Sequence, residues 1–398
     1  MNEELTQHLK NTIYESKGLP GTFFTSEEVL NAEKTYFFRD SWLCIGLVND
    51  VPEGGDVYPV TIADQPLVIV RDRDSTIRIF HNVCSHRGAQ LVDKNRRCTT
   101  LVCPYHAWSY ALDGELKQTP HVGGENIHDC KEINKSELGL KQVRSAIWAG
   151  LVFVNLSGQA QSFDDFIKPL SDRWPSIDVS LLKHVKDLGQ RPVFNANWKL
   201  VVENFIESYH LPSVHTSMNS FNPMGDHYQI LGGGSFIGQG VKGHKPVDGY
   251  AGKFEYFPKV NPEEYGNGES MYLPGNLIII CMSDFFFVNI VTPVSPTVTT
   301  ERIEMFLVGE SASDPGLKHD RQQLMDMLSQ VNNEDIVICE SAQRGRSSDA
   351  FTGGVFAPIQ ETTTLHFQKL LAREILTKTD ASLKDLPQLA IEDIHHPE

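Results

Sequence analysis

Cys84-Ser85-His86-Arg87-Gly88, then Cys103-Pro104-Tyr105-His106-Ala107-Trp108, is the stretch that decides how this chain is read. It is C-x-H, a gap of sixteen residues, and C-x2-H, so two short loops each offer one thiolate and one imidazole. Two centres use such ligands: a tetrahedral zinc, or a 2Fe-2S cluster with two Cys on one iron and two His on the other. Structural zinc usually pairs Cys with Cys in one knuckle and His with His on a helix. Here each knuckle mixes the two types. A mixed cluster needs that mixture, because each loop gives one ligand to each iron, so Cys84, His86, Cys103 and His106 are read as cluster ligands. Gly88 and Pro104 suit tight loops folded over a buried centre.

Outward from the knuckles the pattern is all-β. Val57 to Ile62, Leu67 to Arg71 and Thr76 to Phe80 read as strands, with breaks at Gly54-Gly55, Asp64-Gln65-Pro66 and Asp72-Arg73-Asp74. Thr99 to Val102 leads into the second knuckle. Trp108 to Leu112 and Glu115 to Gln118 form a hairpin about Asp113-Gly114, and Trp148 to Leu156 closes the unit. Upstream, residues 1–24 are loosely patterned, and Thr25 with Glu28 reads as a capping box opening a helix to about Arg39, with Val29, Leu30, Tyr36 and Phe37 facing a core. Downstream, Ser157-Gly158-Gln159 is a linker, and Ser162 with Asp165 caps a helix to Leu170. A helix over Asn197 to Tyr209 should end at Pro212. Residues 228–309 read as an antiparallel sheet, 317–343 and 360–376 as helices, and the last twenty or so as a mobile polar tail. The fold class expected is α+β: an all-β domain over 41–157 and an α+β catalytic domain over 158–398 with an antiparallel sheet and helices (helix-grip-like), on which a helical segment 1–40 packs.

Length and composition fit this picture. At 398 residues the chain is too long for one ordinary core. A net charge of -16 argues against nucleic acid or an anionic membrane, and suits a basic patch on another protein. Seven Cys in an odd-numbered, irregular set point to a reducing, cytoplasmic setting. The other Cys (Cys44, Cys98, Cys130, Cys281, Cys339) read as inert thiols. His81, His121, His128, His227, His244 and His366 read as structural. No signal peptide or membrane span is visible. Gly232-Gly233-Gly234 lacks the strand–loop–helix frame of a nucleotide site and reads as a turn.

A second constellation lies in 197–215. Glu207 and His210 stand three apart and would share a helix face, and a break at Pro212 would return His215 to the same point. Two His and one carboxylate, with the opposite side open, is the ligand set of a non-haem Fe(II) oxygenase. From the residues alone the carboxylate is Glu207 or an acid from the segment holding Glu334, Asp335 and Glu340.

The Cys84-Ser-His86-Arg-Gly and Cys103-Pro-Tyr-His106-Ala-Trp knuckles, with Leu112-Asp-Gly-Glu-Leu116, resemble the Rieske domain of the Rieske non-haem iron oxygenases, ring-hydroxylating dioxygenase-like and quaternary-ammonium monooxygenase-like. Glu207-Ser-Tyr-His210-x4-His215 is similar to the family's D/E-x-Y-H-x4-H run. The resemblance implies a terminal oxygenase (alpha) subunit holding a Rieske 2Fe-2S cluster and a mononuclear Fe(II) on His210, His215 and Asp335. Glu207 would then be an electron-transfer bridge, linking His210 to His106 of a neighbouring subunit in a homotrimer. It further implies NAD(P)H electrons supplied by a separate flavin/ferredoxin-type reductase. Glu in place of the commoner Asp occurs in members acting on small quaternary ammonium compounds. That leans the expected reaction toward hydroxylation or N-demethylation of a betaine-like or carboxylated substrate, with aromatic ring hydroxylation second. Phe205, Tyr228, Tyr272, Phe285, Phe286 and Phe287 are the aromatic candidates for its pocket. An electron carrier, or a zinc-stabilised binding protein, is the reading from another class.

Overall fold

A computed structural model describes residues 2–243, 253–380, 383 and 386–395. The chain forms two compact units: Trp42–Ala160, and Met1–Ser41 together with Gln161–Glu398. His244 lies outside the described residues.

The Trp42–Ala160 unit is built of three small antiparallel sheets. In the largest, Ile77–His81, Gln65–Arg71, Asp56–Ile62 and Arg96–Arg97 lie side by side. The turn before Gln65 is Ala63-Asp64, both with positive φ (46° and 61°), one residue earlier than the break expected at Asp64-Gln65-Pro66. Two left-handed residues match the twist of the flanking strands. Leu101–Val102, Ser109–Tyr110 and Leu116–Gln118 make the sheet that carries the second knuckle, and Gly114, at φ +91°, turns the Asp113-Gly114 hairpin. The third sheet joins Leu43–Leu47, Leu151–Asn155 and Arg144–Trp148. Val68, Val70, Phe80, Leu101, Trp108, Tyr110 and Leu116 form a core directly beneath the two knuckles.

The other unit is organised by a nine-stranded antiparallel sheet. Its path runs Leu182–His184, Val298–Val308, Phe285–Ser295, Leu277–Cys281, Gly268–Leu273, Ile237–Val241, His227–Gly232 and Ile391–His395, with Val193–Phe194 pairing to Val298–Val308. The Gly232-Gly233-Gly234 run is the hairpin turn between two of these strands, Gly232 N donating to Phe236 O at 3.0 Å. The 29-residue helix Lys318–Arg346 seats Leu324 and Met325 against Phe285, Phe287, Met305 and Leu307 of the sheet. Helix Thr362–Thr379 places Phe367 edge-on to Tyr272, ring centroids 5.4 Å apart.

Several expectations are corrected. Residues 3–15 are helical: the Asn2 side chain accepts from Leu5 N, and Leu5, Leu9, Thr12 and Ile13 bury one face. A four-residue helix, Thr22–Thr25, follows, and the helix expected to open at Thr25 is capped by Ser26 instead. Ser26 accepts from Val29 N, while Thr25 donates to Gly21 O. It runs Glu27–Glu33 and widens into a π turn over Lys34–Phe38, burying Phe37 and Phe38 but leaving Tyr36 partly exposed. The polar C-terminus is not a free tail throughout, because Ile391–His395 adds a strand to the sheet edge.

One charged pair in this unit is fully buried. Lys199 Nζ donates to Glu33 Oε1 at 2.6 Å, and Trp198 Nε1 donates to Glu33 Oε2 at 2.7 Å, with both ionic side chains at 0% exposure. Burial pushes the Lys199 ammonium below its usual pKa, and the Glu33 charge works against that. Such a pair tolerates the loss of one partner badly, since the other charge is left buried alone. Lys199→Met is therefore expected to destabilise this unit by about 3–5 kcal/mol, read as a lowered urea midpoint, with Glu33→Gln/Lys199→Met recovering much of it. An unchanged midpoint for the single variant would show that the pair does not hold the helix that leads to the site.

Candidate active site

Helix Trp198–Phe205 begins at Asn197, whose side chain accepts from Lys199 N. It buries Trp198, Leu200, Val201 and Val202. It does not run on to Tyr209, and Pro212 does not end it. It stops at Ile206, and the Glu207 carboxylate closes the following turn by accepting the backbone N–H groups of Tyr209 and His210. Pro212 sits instead in the first turn of a short helix, Leu211–Val214, where its missing N–H removes no hydrogen bond. His210 and His215 flank that helix as its two caps, which brings their rings to 4.9 Å.

Asp335 arrives from the middle of the long helix. Its Oδ1 is 2.9 Å from His215 Nε2 and 3.6 Å from His210 Nε2. That oxygen is buried and has no hydrogen-bond partner among the described residues. One donor atom from each of the three residues lies within 4.8 Å of the others. Each imidazole is held from behind by its own carboxylate. His210 Nδ1 meets Glu207 Oε1 at 2.5 Å, and His215 Nδ1 meets Glu334 Oε2 at 2.7 Å. Both Nε2 atoms are therefore the lone-pair side, aimed at the unpartnered Asp335 oxygen. Two neutral imidazoles oriented by carboxylates around a free carboxylate oxygen fit a divalent metal. Burial opposes the charged form of His215, but Asp335 and Glu334 outweigh it and hold its pKa above the ordinary value. The Glu334 carboxyl is held low, chiefly by the same imidazole.

Glu334 was among the acids read as alternative ligands; its place is on the far side of His215, which residue order alone does not reveal. Glu340 lies elsewhere, accepting from Asn195 N and Nδ2 at 3.1 and 2.7 Å. Glu334→Ala is expected to weaken metal binding about 10- to 100-fold in an Fe(II) titration, while Glu340→Ala on the same helix leaves it unchanged. Equal affinities for the two variants would remove Glu334 from the site.

A cavity of about 150 Å³ opens beside the triad. Met327, Leu328, Val331 and Asp335 line it at helical spacing, so one face of the long helix is its floor. The apolar stretch Ile336 to Ile338 does not contribute: Val337 is 68% exposed. Of the aromatic candidates, Phe205 and Phe285 line this cavity, and Phe287 borders a smaller adjoining one. Tyr272 is packed on Phe367, and Phe286 packs on Trp174 and Phe306, so these two serve the core, while Tyr228 is half-buried near the sheet edge and donates to Glu269. Sequence reading missed Phe221, Asn222 and Gln239, and set His227 aside as structural; all four line the cavity.

In the other unit the two knuckles are built alike. Gly88 N donates to Cys84 O and Ala107 N to Cys103 O, both at 3.0 Å, so each loop curls back on its own Cys. Gly88 takes φ +73° and Ala107 φ +55° to do so. Cys84 and Cys103 are 2% exposed, and the His86 and His106 rings lie 4.6 Å apart. His106 Nδ1 is buried with no hydrogen-bond partner among the described residues. Two buried thiols and two neighbouring imidazoles, one with a buried nitrogen that has no hydrogen-bond partner among the described residues, fit a cluster with Cys on one iron and His on the other. Tyr110, unmarked in the sequence, contacts Cys84 Sγ at 3.2 Å and accepts from Ser85 N at 3.0 Å. Burial, with the Cys84 contact, pushes its hydroxyl up to about 12, so it stays neutral beside the sulfur. Trp108 stacks on His86 at 4.7 Å.

Two family models match the chain. Residues 41–135 match the Rieske [2Fe-2S] domain, and residues 171–377 match the ring hydroxylating alpha subunit (catalytic domain). The carnitine monooxygenase oxygenase subunit of Escherichia coli (strain K12) is 26% identical, over 89% of this chain and 93% of its own length. The glycine betaine monooxygenase oxygenase subunit of Pseudomonas aeruginosa (strain UCBPP-PA14) is 26% identical, over 88% of this chain and 87% of its own. A quaternary ammonium Rieske monooxygenase crystallised with L-carnitine shares the fold at TM-score 0.74 and 22% identity, covering 93% of this chain and 98% of that one. Naphthalene 1,2-dioxygenase from Rhodococcus sp. does so at TM-score 0.75 and 20% identity, covering 96% of this chain and all (100%) of that one. No helix among the described residues is long and apolar enough to cross a membrane. The chain belongs to the ring-hydroxylating alpha-subunit family: it is the oxygenase component of a Rieske non-haem iron system, an oxidoreductase with a 2Fe-2S cluster and a mononuclear iron that works with a separate reductase.

Proposed function

We propose that this oxygenase hydroxylates or N-demethylates a small betaine-like, carboxylated quaternary ammonium compound, with His210, His215 and Asp335 holding the mononuclear iron and Cys84, His86, Cys103 and His106 holding the cluster. The observation that carries the reading is the cavity beside the triad, with apolar walls and Phe205, Phe221 and Phe285 among its lining residues. Aromatic faces attract a quaternary cation, and an apolar wall leaves its methyl groups undisturbed. The relatives whose names carry carnitine and glycine betaine span nearly the whole chain, which supports the same substrate class.

When bound, the iron supplies the redox chemistry of O2 activation. The chain's own residues do the rest. Glu207 and Glu334 fix the tautomers of the two His, so that both Nε2 atoms face the metal position. Met218, Met282, Leu328 and Val331 exclude water from the reacting face. Glu207 further serves as the bridge by which an electron reaches His210 from His106 of a neighbouring subunit, in a homotrimer reduced by a flavin/ferredoxin-type reductase that takes electrons from NAD(P)H.

The test is to measure coupled NADH and O2 consumption with glycine betaine, carnitine, γ-butyrobetaine, choline and a set of aromatic compounds, with product masses. Formaldehyde or a hydroxylated product from a carboxylated quaternary ammonium compound is expected. A cis-diol from an aromatic ring, with no turnover of the ammonium compounds, would replace this reading by ring dioxygenation. Purified protein carrying zinc alone would leave neither.

A further inference from the structure

The cavity beside the metal triad holds one histidine that takes no part in the triad. His227 is 8% exposed and stands in a polar cluster with Asn222 and Gln239, and all three line the cavity. The wall is otherwise mainly apolar: among the described lining residues there is no Lys or Arg, and Asp335 is the one carboxylate. A carboxylate buried here without a partner would be costly. Among the described lining residues, His227 is the one side chain outside the triad that can become a cation.

The hydrogen bonds settle which way the cluster faces. Gln239 Nε2 donates to two backbone carbonyls, Phe205 O at 3.0 Å and Glu207 O at 3.2 Å. That fixes the amide, so its Oε1 must face His227 Nδ1, 3.2 Å away, and Nδ1 carries a proton. His227 Nε2 lies 3.1 Å from the Asn222 side-chain oxygen. With Nε2 also protonated, Asn222 accepts from it and turns its NH2 to the cavity. With Nε2 bare, Asn222 must rotate to donate to it, and would present its carbonyl instead. Only the first arrangement offers a cationic ring and an outward donor together, and an anionic ligand selects it.

Resting on the substrate class proposed above, we propose that Asn222, His227 and Gln239 form the seat of the substrate's carboxylate. The carboxylate lies against Asn222 Nδ2 and the His227 imidazolium, so the cationic end faces Phe205, Phe285 and the Asp335 side of the cavity. This polarity places the N-methyl groups, rather than the carboxylate, at the metal triad. Gln239 ties the seat to the backbone of Glu207, the residue that orients His210.

The experiment is calorimetric binding to the iron-loaded chain of four probes: γ-butyrobetaine, glycine betaine, choline (cation without carboxylate) and benzoate (carboxylate without cation). Wild type is compared with His227→Phe and Asn222→Ala, whose folding is checked by retention of the mononuclear iron, which the same unit holds, and by an unchanged urea midpoint. The expected result is an affinity loss of about 10- to 100-fold for the carboxylated probes in either variant, with choline unchanged. Equal losses for choline and the betaines, or no loss for either, would overturn the seat. Benzoate bound in a His227-dependent way while no ammonium compound binds would keep the seat and overturn the substrate class. If the wild type binds none of the four, both fall.

Discussion

Replacing Asp335 with alanine is expected to strip the mononuclear metal from this chain and stop substrate oxidation, while the cluster and its colour remain. Among the described residues, Asp335 Oδ1 is the one carboxylate oxygen set between the two Nε2 atoms, and it forms no hydrogen bond. Glu334 does not replace it, because its carboxylate is engaged behind His215. The loss in affinity should exceed the about 10- to 100-fold typical of a residue that only orients a ligand. Asp335→Glu is expected to recover little, since the added methylene drives the carboxylate into the room the two His leave. Iron analysis of the purified variant, with the EPR signal of the reduced cluster as internal reference, measures both sites at once. An Asp335→Ala protein that keeps a full complement of mononuclear iron and turns over would sink the assignment.

Glu207→Gln is expected to have an effect as large on turnover, by a different route. Both metals should stay bound, yet single-turnover product from pre-reduced protein should fall to background. The glutamate does two local things: Oε2 closes the turn by accepting Tyr209 N–H and His210 N–H, and Oε1 accepts from His210 Nδ1 at 2.5 Å. An amide keeps the size and some of the hydrogen bonding, but it loses the charge and cannot accept with both arms. His210 would still reach the metal, with a less basic Nε2. What goes is the charged acceptor that a second imidazole, His106 of a neighbouring subunit, is proposed to use. Iron content and cluster absorbance separate this from simple loss of metal. Undiminished single-turnover product in Glu207→Gln would leave Glu207 as a turn-closing residue only.

Much of this was legible in the residues. The knuckles were readable because each is local: Cys84 and His86, and Cys103 and His106, are neighbours in sequence, so their spacing is also their geometry. The antiparallel sheet was readable because strands such as Phe285–Ser295 and Val298–Val308 join through short turns. What misled was also local. Pro212 looks like a helix terminator, but the Ile206 break and the Glu207 side chain had already ended the helix, and a proline in the first turn costs the next one nothing. The 3–15 helix was missed because its signal is a capping Asn2 and a sparse apolar face, which only burial against the rest of its unit makes persuasive.

The sequence by itself determined the two kinds of metal chemistry, through residue type at short spacing: thiolate and imidazole mixed in each knuckle, and Glu207, His210 and His215 within one turn-rich segment. Only the tertiary structure decided how those residues are used. It brought Asp335, from a helix more than a hundred positions away, to 2.9 Å from His215 Nε2, and it gave Glu334 to the opposite nitrogen of the same ring. It withdrew Tyr272 and Phe286 into the core, left Tyr228 half-buried near the sheet edge, and put His227, Asn222 and Gln239 in the cavity wall. The physical reason is the same in each case. A side chain's chemistry is carried by its type, but its partner is chosen by which elements the burial of apolar surface packs together, and that choice is made across the whole chain.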